Sequence, residues 1–162
     1  MADESLITEE LKKKIGVEGK PRVYEVEKGL IRQFARAIED PNPLWQDEEF
    51  ARKTKYGGLV APLALVIALG WEDFQAEGPR TDVKNIAGLH GGTELEWYRP
   101  IKAGDKITIT NTLVDARERD SKRLGKMAFM TYERAYKNQN GELVARCRQL
   151  VIIYKPGGVK RE

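Results

Sequence analysis

The sequence contains a single cysteine, Cys147, and a single histidine, His90. One cysteine cannot close a disulfide within the chain, and one cysteine with one histidine is too few for a Cys/His zinc cluster. We therefore expect a protein of a reducing, cytoplasmic compartment that holds no metal ion.

Long apolar runs and blocks of one charge are also missing. No stretch approaches the roughly 18 apolar residues of a membrane span, and residues 1–14 lack the apolar core of a signal peptide. Lysine and arginine number 28 against 25 aspartates and glutamates, so the net charge is 28 − 25 = +3, with both signs interspersed. A nucleic-acid-binding protein would cluster its basic residues, so we expect neither a nucleic-acid partner nor a membrane partner.

The composition is that of one globular domain. The chain has 162 residues, of which 41% are hydrophobic and 33% are charged. We predict a helical amino-terminal extension at residues 1–20, where apolar residues recur at helical spacing, one domain at residues 21–155, and a flexible tail at residues 156–162.

Two helices are predicted in the first half of the domain. Residues 28–39 place apolar side chains on one helical face, and the following Asp-Pro pair ends that helix. Residues 59–69 form the most apolar stretch of the chain, with Pro62 suited to the first turn of a helix and Gly70 to its end. A helix that is apolar on every side must be buried.

The second half of the chain changes to the period of β-strands. Residues 93–97, 105–115, 124–136 and 143–154 alternate or run apolar, and Asn-Gly at positions 140–141 is a hairpin signal. Because a bent antiparallel sheet must cover its apolar face, it should wrap around the buried helix. The predicted fold class is α+β, a hot-dog fold.

Three sequence motifs carry a resemblance to a known family. Positions 40–47 read Asp-Pro-Asn-Pro-Leu-Trp-Gln-Asp, positions 56–62 read Tyr-Gly-Gly-Leu-Val-Ala-Pro, and a Gly-Leu-His-Gly-Gly run begins at position 88. The first two resemble the MaoC-like dehydratases and R-specific enoyl-thioester hydratases, whose motif is Asp-x-Asn-Pro-x-His-x-Asp. The third, continued to position 105, is similar to the amino-terminal, FAS1-like dehydratase branch.

The resemblance implies reversible, stereospecific addition of water to a 2-enoyl thioester of coenzyme A or acyl carrier protein, with no further cofactor. In the family, the motif's aspartate and histidine handle the water and the α proton, and a backbone amide near the central helix polarises the thioester carbonyl. Asp40, Asn42, Pro43 and Asp47 match the motif, whereas Trp45 stands at the histidine position. An indole cannot take up a proton at neutral pH, so the acid/base pair is incomplete.

The predicted catalytic residues are Asp40 and His90, the latter as a replacement base. The predicted substrate-binding residues follow the motifs: Asn42, Trp45, Gly57, Gly58, Val60 and Ala61. Ordinary structural roles are also open, since Asp40 could end a helix and bond the next turn, and His90 could be a hydrogen-bonded histidine at the sheet edge.

Three functions remain open at this point. The chain could be one subunit of a heteromeric dehydratase whose partner brings the complete Asp/His pair, or a self-sufficient hydratase that uses His90. It could also be a non-catalytic acyl-thioester-binding or regulatory dimer, or a thioesterase, although residues 59–69 contain no acid. In each case we expect a homodimer or heterodimer of hot-dog chains, with the pocket between residues 40–47 and the start of the central helix.

Overall fold

The computed structural model describes residues 5–77 and 80–156. The helices are α1 (Glu9–Lys12), α2 (Lys28–Ala37), α3 (Pro43–Gln46), α4 (Glu48–Arg52), α5 (Leu65–Ala68) and α6 (Trp71–Glu77). The strands are β1 (Arg22–Glu25), β2 (Ala87–Trp97), β3 (Lys106–Ser121), β4 (Gly125–Lys137) and β5 (Leu143–Tyr154). Beyond Pro156 the predicted tail lies outside the described residues.

The five strands form one antiparallel sheet in the order β1-β3-β4-β5-β2. The β4–β5 turn is built at the predicted Asn-Gly site: Gly141 has a positive φ of 76°, and the Asn138 side chain accepts hydrogen bonds from the amides of Asn140 and Glu142, each at 3.0 Å. The predicted meander is therefore confirmed for β3, β4 and β5, whereas β2 pairs with β5 instead of with β3, its neighbour in sequence.

The prediction of one helix over residues 59–69 is wrong for its first half. Residues 59–61 are extended, and Val60 forms a β-bridge with Lys102. Leu59 accepts a hydrogen bond from the amide of Ala103, and the amide of Ala61 donates to Ile101, so tertiary pairing overrides the local preference for a helix. Gly70, with φ of 71°, ends α5 as predicted.

Helix α5 packs on the sheet through one side only. Leu65 and Val66 are buried, and the Tyr136 hydroxyl donates a 2.6 Å hydrogen bond to the Val66 carbonyl. Leu63, just before the helix, is 53% exposed, so the expectation of burial on every side is also wrong. Among the residues that the structure describes, no helix is long and apolar enough to cross a membrane.

The amino-terminal segment covers the far end of the same sheet face. Its helix is the single turn α1, shorter than the extension predicted, and Leu6, Ile7 and Leu11 are buried in a second apolar cluster. The Glu118 carboxylate on β3 accepts hydrogen bonds from the amides of Leu6 and Ile7, at 2.6 and 2.9 Å, and thereby fixes the segment to the sheet.

Candidate functional site

Asp40 is placed by the way in which α2 ends. Ile31 and Ala35 bury one face of α2 against the core, and the Asp40 amide donates a 2.9 Å hydrogen bond back to the Ala35 carbonyl. Between them Glu39 adopts a left-handed φ of 53°, which costs an L-residue roughly 1–2 kcal/mol. The backbone is therefore strained at the residue that precedes the motif aspartate.

The Asp40 carboxylate organises the loop that follows it. One oxygen accepts the Asn42 amide at 3.0 Å, and the other accepts the indole Nε1–H of Trp45 at 2.8 Å. The Asp40 carbonyl accepts the side-chain amide of Gln46 at 3.0 Å. The predicted hydrogen bond from Asp40 to the next turn is thus present, and the structure brings Asp40, Asn42 and Trp45 together.

Trp45 makes a hydrogen bond to Asp40 from the motif position at which the resemblance places a histidine. Its indole nitrogen lies 2.8 Å from the Asp40 carboxylate. Indole donates only, whereas each carboxylate oxygen can accept more than one hydrogen bond. The pair can therefore orient a donor such as water or a hydroxyl group, but the indole of Trp45 cannot accept a proton from it.

The Asp40 loop is joined directly to the segment that leads into α5. The Val60 amide donates to the Leu44 carbonyl at 3.1 Å, and the Ala61 amide donates to Ile101 at 2.8 Å. Val60 and Ala61 are 5% and 3% exposed. The backbone amides of Val60 and Ala61 already donate hydrogen bonds within the chain. Their predicted contact with a substrate would therefore have to be made by their side chains or carbonyl groups.

The backbone amides of Leu63 and Ala64, which were not among the predicted site residues, lie at the start of the central helix. Within residues 5–77 and 80–156, no acceptor is found for the backbone N–H groups of Leu63 and Ala64. They follow Pro62, in the first turn that leads into α5, where helix N–H groups are characteristically unsatisfied. Such amides can donate to a carbonyl oxygen or an oxyanion.

Gly57 and Gly58 line a polar cavity of about 290 Å³ beside the site. The Gly57 amide already donates to the Thr54 carbonyl at 3.1 Å. The cavity is also bordered by Glu48, whose pKa is lowered by hydrogen bonds from Lys28 and Arg32. Added Cβ atoms at the two glycines would meet no atom within 4 Å, so close packing does not require glycine there.

His90 is exposed, and no hydrogen bond among the described residues links it to the Asp40 loop. It sits on the edge strand β2, opposite Val151 of β5, at a register shift before Gly92. Its Nε2 lies 3.2 Å from the Thr93 hydroxyl, and no hydrogen bond joins it to Asp40. Within one chain the structure therefore shows the hydrogen-bonded sheet-edge histidine, and a catalytic role for His90 stays a prediction.

Cys147 and the acidic residues provide no metal centre in the part of the chain that the structure describes. No group of three or more His, Cys, Asp or Glu side chains there is arranged to hold a metal ion. Cys147 itself is buried, and burial raises the pKa of its thiol.

Sequence comparisons place the chain among known proteins. Residues 13–147 match the family model of the FAS1-like dehydratase domain region. A "UPF0336 protein" of Streptomyces avermitilis is 36% identical over 95 residues, which cover 56% of this chain and 61% of the relative. A "Probable enoyl-CoA hydratase alpha subunit" of Thermomonospora curvata is 29% identical over 141 residues, which cover 78% of this chain and 44% of the relative. The chain thus spans less than two thirds of either relative.

Solved structures agree with the predicted fold. A MaoC-like dehydratase from Rhodospirillum rubrum is 28% identical, with a TM-score of 0.66 over 87% of this chain and 92% of that one. The ChsH1–ChsH2 complex of Mycobacterium tuberculosis contains a chain that is 22% identical, with a TM-score of 0.71 over 93% of this chain and 99% of that one. The predicted α+β hot-dog fold is confirmed.

Proposed function

The chain belongs to the family of the FAS1-like dehydratase domain region, among the MaoC-like dehydratases, and from that premise we propose that it is the non-catalytic subunit of a heteromeric hydratase. The complete enzyme would be an (R)-specific hydratase/dehydratase of 2-enoyl and 3-hydroxyacyl thioesters, carried on coenzyme A or acyl carrier protein. The observation that carries the proposal is the 2.8 Å hydrogen bond from the Trp45 indole to Asp40.

Water addition beside a thioester needs a base, an acid and donors at the enolate oxygen. Asp40 can supply only one of the two proton-transfer groups, because Trp45 can give a hydrogen bond and cannot take a proton. The unpartnered amides of Leu63 and Ala64 are suited to a thioester carbonyl. This chain would therefore bind and orient the acyl thioester, and a second hot-dog subunit would perform the proton transfers.

Among the described residues, the outer edge of β2 has no partner strand and is available to such a subunit. Strand β2 spans 11 residues at one edge, and Leu89 and Trp97 on it are 46% and 39% exposed. The Thermomonospora relative is named an alpha subunit and the Mycobacterium structure is a complex, which supports a heteromeric assembly for this chain as well. We propose that β2 pairs with the equivalent strand of the catalytic subunit.

The test is hydration of crotonyl-coenzyme A, measured for the purified chain, for a candidate hot-dog subunit with the intact histidine motif, and for their mixture. We expect the chain alone to bind the non-hydratable butyryl-coenzyme A in calorimetry without hydrating crotonyl-coenzyme A. The mixture should be more active than the partner alone. In the mixture, Asp40→Asn in this chain should change kcat by a small factor only, because the incomplete pair performs no proton transfer.

Each other function predicts a different result. A self-sufficient enzyme would hydrate the substrate alone and lose that activity in Asp40→Asn and in His90→Ala. A binding or regulatory dimer would bind butyryl-coenzyme A and leave the partner's activity unchanged. Release of free coenzyme A from the saturated thioester would indicate a thioesterase.

A further inference from the structure

A band of polar side chains crosses the buried face of the sheet between its two apolar clusters. Asn111 of β3 lies directly opposite Arg134 of β4, and Gln149 follows on β5. Arg134 and Gln149 are 1% and 4% exposed. The neighbours of Arg134 on the same face of β4 are Tyr132 and Tyr136, so its charge interrupts an otherwise apolar surface.

Arg134 has hydrogen bonds but no ion pair among the residues that the structure describes. Its guanidinium donates to the Ile67 carbonyl at 3.3 and 3.4 Å, to the Leu69 carbonyl at 3.5 Å and to the Gln149 side chain at 3.3 Å. Its charge also lies 5.3–5.8 Å from the ring centroids of three aromatic residues: Trp71, Phe74 and Tyr136. Within the described ranges it forms no ion pair with a carboxylate, although an unpaired charge is costly to bury.

Two buried atoms of this band lack a hydrogen bond to any described residue: the Nε–H of Arg134, which is a donor, and the side-chain oxygen of Asn111, which is an acceptor. A buried polar group without a partner costs roughly 1–3 kcal/mol. Both residues line the same cavity, so the two unsatisfied groups lie just beneath its surface.

That cavity has a volume of about 430 Å³ and lies where the amino-terminal segment meets strands β1 and β3. Its lining combines four cations, two acids and several apolar or neutral groups: Lys14, Lys20, Arg22, Arg134, Glu18, Asp73, Val17, Gly19, Tyr24, Gly70, Phe74, Ile109 and Asn111. Of the two acids, Asp73 accepts the Tyr24 hydroxyl. The buried guanidinium of Arg134, which forms no ion pair among the described residues, favours an anion, and the apolar groups favour one with a hydrocarbon body.

We propose that this cavity binds a small organic anion, a carboxylate or a phosphate ester, with an oxygen toward the Nε–H of Arg134 and its carbon skeleton along Val17, Phe74 and Ile109. A small shift of the lining would let the ligand reach that buried N–H group. Binding would then give Arg134 an anionic partner. This site is separate from the Asp40 loop, and the inference does not rest on the proposed function.

The experiment uses three probes with one hydrocarbon chain: hexanoate, hexyl phosphate and hexan-1-ol. Calorimetry on the full chain gives each dissociation constant, and backbone amide shifts in NMR locate the contact. We expect an anionic probe to bind at least roughly tenfold more tightly than the neutral alcohol, since a hydrogen bond to a charged group is worth that much. The two anions separate a carboxylate site from a phosphate site.

Arg134→Met removes the buried charge at similar length, and Asn111→Asp adds a negative charge opposite it. Each substitution should raise the dissociation constant of the anion roughly tenfold or more. If Arg134→Met does not fold, Asn111→Asp alone decides. Arg117→Ala is the matched control, because it removes an exposed charge from β3 outside this cavity and should leave the constant unchanged. Equal affinity for hexan-1-ol, unchanged affinity in the folded variants, shifts that map elsewhere, or no binding by any probe would each overturn the proposal.

Discussion

Replacing Trp45 by histidine should create hydratase activity in this chain alone. The indole Nε1 is two bonds from Cγ in a five-membered ring, as is Nε2 of histidine, so an imidazole can place a nitrogen near the 2.8 Å position beside Asp40. That distance is within the reach required for proton transfer. A positioned acid or base typically contributes 10²–10⁴-fold, so we expect Trp45→His to hydrate crotonyl-coenzyme A at least about 100-fold faster than the wild-type chain.

The controls separate proton chemistry from a change of shape. Trp45→Phe removes the ring nitrogen and should give no activity, and Asp40→Asn in the Trp45→His background should abolish the gain. Loss of the larger ring from a partly buried site should cost about 1–3 kcal/mol of stability, so thermal unfolding must confirm a folded variant. A folded Trp45→His chain that binds butyryl-coenzyme A but shows no added activity would refute the reasoning that Trp45 is what disables the pair.

Three further predictions concern the scaffold. Tyr136→Phe should lower the free energy of unfolding in urea by about 1–3 kcal/mol, because the buried Val66 carbonyl loses its donor, whereas Tyr98→Phe at an exposed site should change it by less than about 0.5 kcal/mol. Glu39→Gly should raise the urea midpoint, with a gain of about 0.5–1 kcal/mol, since glycine adopts the positive φ without strain; a lower midpoint would contradict this. Burial raises the pKa of Tyr132 to about 12, above its unfolded value, so its contribution is fully present below about pH 10 and is lost as the pH rises toward 12. Stability measured from pH 9 to 12 should therefore fall less steeply in Tyr132→Phe than in the wild type.

The sheet could be predicted from the sequence because alternation and turn residues act locally. The Asn-Gly turn before β5 and the alternation of apolar residues in the strands can both be recognised from a single sequence. The segment at residues 59–69 could not be assigned correctly, since an entirely apolar run suits a buried strand and a buried helix equally well. Hydrogen bonds with Leu44 and Ile101, distant in sequence, make its first residues extended.

The Asp40 site could be predicted only in part. The motif at positions 40–47 indicated the turn, and the structure adds the hydrogen bond from Trp45. The amides of Leu63 and Ala64 were missed, because every residue type except proline has a backbone N–H group.

Arg134, in contrast, could have been identified as a buried charge. It occupies an inward position among the alternating apolar residues of β4, and this interruption of the pattern is visible in the sequence.

The two edges of the sheet differ in what they can accept. At the β1 side, the short strand β1 and the bridges from Ile15 to Leu113 and from Glu18 to Thr112 occupy the outer edge of β3. Strand β2 pairs with β5 on one side, and within the described chain its other edge has no partner strand. The outer edge of β2 is therefore the longer one for strand addition. If β2 pairs with one partner strand as proposed, that contact uses the long edge of both chains and cannot extend into an open-ended fibre.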